Sequence, residues 1–268
     1  MTRPPIVLSI AGSDSGGAAG LQADLKTWTA LGVYGMSAVT VVTAQNSVRV
    51  ERAHFLPPDL VAAQIDAVLS DYGAAAIKTG FLGRVELIEA VAERLASWRE
   101  RLSPRPFILV DPVLVNHRGE PMFPPEVAAA VRERLFPPAD LVTPNRHEAA
   151  LLAGRPLPVL EDGEELARFL ASLGAARVLL KGLERGEEKV DALWDGGDLT
   201  LLGQPAIDTE NLHGSGDTLS AAICAFAAKG LPLLDAIRQA QSYTHAAIGR
   251  GAGWRLGAGH GPLGHAQD

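Results

Sequence analysis

The sequence is poor in the features that would point to export, a membrane or a charged polymer. It holds one cysteine, Cys224. No internal disulfide can form, and an inert buried thiol in a reducing cytoplasm is the reading of that residue. No apolar run approaches the roughly 20 residues that a spanning helix needs. The start "MTRPPIVLSIAGSD" meets glycine and charge too early for a secretory signal. Lysine and arginine form no cluster, and the formal net charge of -7 leaves no basic footprint for nucleic acid or an anionic bilayer. The glycine-rich "GSDSGGAAG" lacks the dinucleotide-binding spacing, and no Walker-type G-K-[ST] occurs. Small-molecule chemistry in an ordinary globular protein is what remains.

What is present is a rhythm. Unbroken apolar runs at 5–12, 36–44, 74–82, 107–114, 141–145 and 176–182 alternate with amphipathic patterns near 20–31, 58–72, 84–102, 125–135 and 163–173. Strands buried on both faces read this way, so the pattern predicts an α/β fold: a doubly wound, mostly parallel sheet with helices on both faces. After Lys181 the rhythm changes to a hairpin near 189–207 turning at "DGGD", then helices at 217–229 and 232–248. With no linker-like stretch and no repeat, one domain over 1–268 is expected. The glycine-rich tail "GAGHGPLGHAQD" reads either as a loose end or as a lid over a site.

The stretch "NLHGSGDTLSAAICAF" (211–226) is the most informative. Two glycines and a serine open a helix of small apolar residues, and Asp217 stands in its first turn. Ser215 or Asp217 as an ordinary cap is one explanation. The other is an anion site, because a glycine-flanked helix start presents unpaired N–H groups at the positive end of the dipole. A carboxylate at such a site suits a base that takes a proton beside the bound anion. In a parallel sheet, ligands gather at the carboxyl ends of the strands. Asp14, Gln45, Asn46, Asp111, Asn145 and Lys181 all fall there. Each has an ordinary use as a cap or surface group, but together they make the parts of a phosphoryl-transfer site.

The segments "AGSDSGGAAGLQADLKTWTALGVYG", "TAQNS", "TPNRHEA", "LLKG" and "HGSGDTLSAAI" resemble the hydroxymethylpyrimidine/phosphomethylpyrimidine kinases of thiamine synthesis, in the ribokinase-like superfamily. The likeness runs from about residue 6 to the closing "GHGP". It implies a cytoplasmic enzyme that uses ATP and Mg²⁺ to phosphorylate 4-amino-5-hydroxymethyl-2-methylpyrimidine and then its monophosphate, and a homodimer. By resemblance, Asp24 and Gln45 hold the pyrimidine with backbone help from Gly12. Gly214, Ser215 and Gly216 form the anion hole, and Asp217 is the base. Lys181 lies near the ATP phosphates, with Asn145 beside it. Glu148, in the N-x-x-E set by Asn145, helps to position Mg²⁺ through water, with Asp111 nearby.

Three positions depart from the family's habit. Asp217 stands where many members carry cysteine, Ala18 where the glycine run commonly continues, and Phe81 where methionine is frequent. Aspartate at the first place is usual for the wider superfamily, including one branch of pyridoxal kinases, so a pyridoxal or pyridoxine kinase is the nearest alternative. A pyrimidine-binding module without catalysis is a second one, against which the presence of a base counts. Phe81 suits either a flat pocket wall or the core.

Overall fold

The computed structural model describes residues 3–266. The apolar runs become β1 (Ile6–Asp14), β2 (Tyr34–Gln45), β4 (Ala76–Thr79), β5 (Phe107–Val110), β6 (Leu141–Val142) and β7 (Val178–Arg185), with β3 (Val50–Phe55), β8 (Glu188–Trp194) and β9 (Leu199–Pro205) added. All belong to one sheet in the order β3-β2-β1-β4-β5-β6-β7-β8-β9. The six strands from apolar runs pair in parallel, while β3, β8 and β9 run antiparallel at the two edges. The expected doubly wound, mostly parallel sheet with helices on both faces is therefore the observed one.

Helices cover both faces. One face packs against α2 (Pro58–Asp71), α3 (Val85–Arg101), α4 (Pro125–Ala130), α5 (Arg146–Ala153) and α6 (Gly163–Ser172). The other packs against α1 (Gly20–Ala30), α7 (Ser215–Ala228) and α8 (Leu233–Gly251). Prolines open α2 and α4, where the missing N–H would have had no partner anyway. The indole of Trp28 on α1 donates to the Ala221 carbonyl of α7 at 2.8 Å, tying those two helices together under the sheet.

Several boundaries moved for identifiable reasons. The fourth run stops at Val110 because Pro112 has no N–H to continue a ladder, and Val113 then adopts φ 45°, which a β-branched residue rarely accepts. The helix expected at 125–135 changes to π geometry over Val131–Leu135. β3 was not expected: its residues are almost all exposed, and Val50, Ala53 and Phe55 are not spaced in a strict apolar alternation that would mark it. As far as residue 266 the tail is held against the fold, and residues 267–268 lie outside the described residues. Leu263 is buried, the Gly264 N–H donates to the Ala247 carbonyl, and the Gly259 N–H donates to Ser47 Oγ across the mouth of the sheet. Cys224 is fully buried in α7, as its apolar context implied, and burial raises its thiol pKa. No helix among the described residues is long and apolar enough to cross a membrane.

Candidate active site

Side chains alternate between the faces of a strand, and on the face that α1, α7 and α8 cover this places a row of apolar residues: Val7, Ala76, Leu109, Leu141 and Leu179. Two residues further toward the carboxyl ends, the same parity gives Ser9, Lys78, Asp111, Thr143 and Lys181, all buried. The chemistry therefore begins where the apolar layer stops. The start of α7 lies over this polar row.

That start is shaped by contact. Gly214 has φ 85°, and a Cβ there would collide with the Ala18 carbonyl of the glycine-rich loop. Among the described residues no protein acceptor engages the N–H groups of Gly214, Gly216 or Asp217. Ser215 differs from the expectation: its N–H already donates to the Leu212 carbonyl at 3.1 Å. The donors left for an anion are thus the two glycines and Asp217 itself. A methyl on Gly216 would sit 3.5 Å from Lys181 Nζ, so an ammonium stands beside the same helix tip.

Lys181 is nearly buried and lies 3.2 Å from Asp111 Oδ1, while the Ser220 hydroxyl of α7 lies 2.8 Å from Asp111 Oδ2. Glu148 faces the same cluster. Its carboxylate accepts from the Leu114 N–H at 3.0 Å and the Asn145 N–H at 2.9 Å, and the Asn145 side chain accepts from the His147 and Glu148 N–H groups. This is a full capping box at α5, so the Oδ1 of Asn145 is occupied by structure. Burial, reinforced by Asp111 and opposed by Lys181, pushes the Glu148 carboxyl up to about 7. When Glu148 is ionised, two buried carboxylates face one ammonium, an excess of negative charge that a divalent cation would relieve. Among the described residues no group of three or more metal-binding side chains occurs.

Asp217 is half-buried. Burial raises its pKa, but the Lys78 ammonium at 3.2 Å, a hydrogen bond from the Gly20 N–H and the more distant Lys181 together outweigh that, and the carboxyl is held below its usual range. Lys78 was not singled out in the sequence, although a lysine inside the apolar strand "AIKT" is a signal: a fully buried ammonium needs an anion. It has two, because it also donates to Asp24.

Asp24 is the main correction. It is fully buried, with one oxygen taken by Lys78 and the other accepting from the Ser9 hydroxyl at 2.6 Å. No face of it is left for a ring, so it does not reach the cleft as the resemblance implied. Gly12 is buried too, and its α-carbon packs on Val41 and Phe81. Phe81 in turn stacks with Phe55 and meets the Phe123 ring at a tilt.

Gln45 lies beside the cleft, with its Nε2 3.2 Å from His213 Nε2. A cavity of about 290 Å³ opens there, lined by Asp14, Asn46, Ser47, His213, His260 and Pro262. His213 went unnoticed in the sequence, where nothing but its place before "GSGD" marked it. Asp14 organises the rim: its carboxylate accepts the N–H groups of Gly16, Ala18 and Ala19 at 2.8 to 2.9 Å. That stiffens the loop on which Gly214 rests.

Comparison with known proteins gives a consistent result. Residues 14–264 match the profile of a family described as phosphomethylpyrimidine kinase. A hydroxymethylpyrimidine/phosphomethylpyrimidine kinase of Rhizobium meliloti is 46% identical over 97% of this chain and 96% of its own length. Among solved structures, the ADP complex of Bacillus subtilis pyridoxal kinase superimposes with a TM-score of 0.88 at 37% identity, covering 98% of this chain and 97% of that one. A phosphomethylpyrimidine kinase of Clostridium difficile gives 0.80 at 33% identity, covering 91% and 99%.

Proposed function

Because the chain belongs to the phosphomethylpyrimidine kinase family and is a kinase, we propose that it transfers the γ-phosphoryl group of ATP to the hydroxymethyl group of 4-amino-5-hydroxymethyl-2-methylpyrimidine and then to the resulting monophosphate, in thiamine biosynthesis. The observation that carries the reading is at the start of α7, where unengaged N–H groups at the positive end of a helix stand beside an ionised Asp217. In the first transfer Asp217 takes the hydroxyl proton, the alcohol oxygen bonds to the γ-phosphorus, and the bridging oxygen leaves with ADP. The Gly214, Gly216 and Asp217 amides stabilise the equatorial oxygens in flight. Lys181 offsets phosphate charge from the same side.

Asp111 and Glu148 are the residues that would hold Mg²⁺, through water, and the ion would supply charge neutralisation at the phosphates. Gln45 and His213 offer an amide and an imidazole to a ring in the adjoining cavity, and an aminopyrimidine edge, with donors beside a ring-nitrogen acceptor, matches an amide well. Gly12 stays in the reading only through its backbone. We read the chain as one kinase domain and as a homodimer. Support for the latter is the pair of open sheet edges, β3 and β9, and sedimentation of the purified chain decides it. Its lone buried thiol is in keeping with the cytoplasm.

Asp217→Asn tests the assignment. It should fold and bind ATP, yet lose turnover of the pyrimidine alcohol on the order of 10² to 10⁴-fold. Near-normal turnover in that variant would refute the base role. A second reading, pyridoxal kinase, is favoured by one observation, the aspartate at position 217 on a scaffold this close to the Bacillus subtilis enzyme. Turnover of the two alcohols side by side separates them: a large preference for pyridoxal overturns the pyrimidine assignment.

A further inference from the structure

Lys78 lies on β4, inside the parallel core, and is fully buried. An ammonium withdrawn from water costs several kcal/mol unless anions and hydrogen bonds replace its hydration. Here the replacement comes from two helices on one side of the sheet. Asp24 on α1 receives one Lys78 hydrogen bond and is itself held by Ser9 of β1, while Asp217 on α7 lies 3.2 Å away on the cleft side. The four residues form a continuous chain, Ser9 to Asp24 to Lys78 to Asp217, with an enclosed end and an end that meets the cleft.

We propose that Lys78 and Asp24 are positioning residues for the transfer step, Lys78 fixing the Asp217 carboxylate as an oriented anion and Asp24 serving as the anion that keeps Lys78 paired whenever Asp217 is neutral. This rests on the reading of Asp217 as the base. The need for two carboxylates follows from charge balance. When Asp217 accepts the hydroxyl proton it stops compensating Lys78, and without Asp24 a bare cation would be left in the core. With Asp24 in place, the ammonium shifts its weight to a partner it already holds. The second carboxylate therefore makes the proton easier to accept, and Lys78 keeps the base ionised beforehand.

The other charged groups around this chain are Lys181 from β7, Asp111 after β5 and His265 from the tail, whose ring lies 2.9 Å from the Thr218 hydroxyl next to Asp217. Cys224, one helical stretch deeper, stays a neutral thiol because burial raises its pKa. None of these changes in the variants below. Asp24 is pushed up to about 6 by burial, with Asp217 adding to the rise and Lys78 opposing it, in keeping with one ammonium shared by two acids.

The test uses the pH profile of kcat for Asp24→Asn and for the double variant Lys78→Met/Asp24→Asn, which removes both buried charges and so keeps the core neutral. In the double variant the acid limb should move up in pH, since Asp217 loses its cation and keeps its burial. In Asp24→Asn alone the limb should stay or move down, because a neighbouring negative charge has gone, while kcat falls. KM for the alcohol should hardly change in either. A limb that moves the same way in both variants, or in neither, overturns the positioning role even if Asp217→Asn is inactive. A fully active Asp217→Asn would instead sink the base assignment, so the two failures are distinguishable.

Discussion

The α-carbon of Gly214 rests against the carbonyl oxygen of Ala18, closer than any side chain would allow. The tip of α7 and the glycine-rich loop are therefore one unit, and the loop in turn hangs on the Asp14 carboxylate. Gly214→Ala should cost at least about 1 kcal/mol from the left-handed backbone alone, with the collision added. It should also push the helix tip off its seat. Thermal melting and kcat should fall together, and a variant with wild-type melting and activity would contradict the contact.

Lys181 separates binding from chemistry less cleanly than a surface lysine would. Lys181→Met strips Asp111 of its partner at 3.2 Å and leaves a buried acid uncompensated, a loss of about 3 kcal/mol where both groups are enclosed. The ATP KM should rise and kcat should drop on the order of 10²-fold, as for loss of one preorganised donor to a transferring group. Calorimetry and steady-state kinetics on the same preparation check both halves.

Stability should carry a pH signature from Glu148. Its folded value of about 7 lies above the ordinary carboxyl range, so the folded state holds a proton that the unfolded chain gives up. Stability from this group is present at acid pH and is lost as pH rises from the ordinary carboxyl range through 7. Glu148→Gln cannot ionise. The melting temperature of the variant relative to wild type should therefore climb across that window, from a constant deficit caused by the disturbed capping box. A flat difference would mean that Glu148 is ionised throughout.

Acceptor charge should split the two transfers. An alcohol must lose a proton, whereas a phosphate monoester arrives with ionised oxygens and needs no base. Asp217→Asn should therefore slow the first phosphorylation far more than the second, read as the ratio of ADP release with each acceptor. Equal losses for both would mean that Asp217 acts on something other than the hydroxyl proton.

The parallel core was legible because strands buried on both faces need unbroken apolar runs, and "PIVLSIAG" or "ARVLLKG" allow little else. β3 was not, since pairing with β2 leaves nearly all its side chains in water and nothing in "VERAHF" has to be apolar. The α7 tip was legible from glycines ahead of a small-residue helix. Its details were not: the engagement of the Ser215 N–H by Leu212 is a matter of loop path. Asp24 was misassigned because a motif conveys position along the chain and says nothing of enclosure. Its partners Ser9 and Lys78 lie 15 and 54 residues away along the chain, and Lys78 in turn meets Asp217 across 139. The same separation hid Lys78, even though a lone cation within four strand residues was there to be asked about.

The enclosed sulfur of Cys224 gives the molecule a built-in clock. With a single thiol in the chain, and that one sealed between α7 and the sheet, an alkylating reagent can react only after the helix that carries Asp217 has lifted away. The rate of labelling then counts excursions of that packing layer, and its slowing under saturating nucleotide would read out how firmly the ligand holds the layer down.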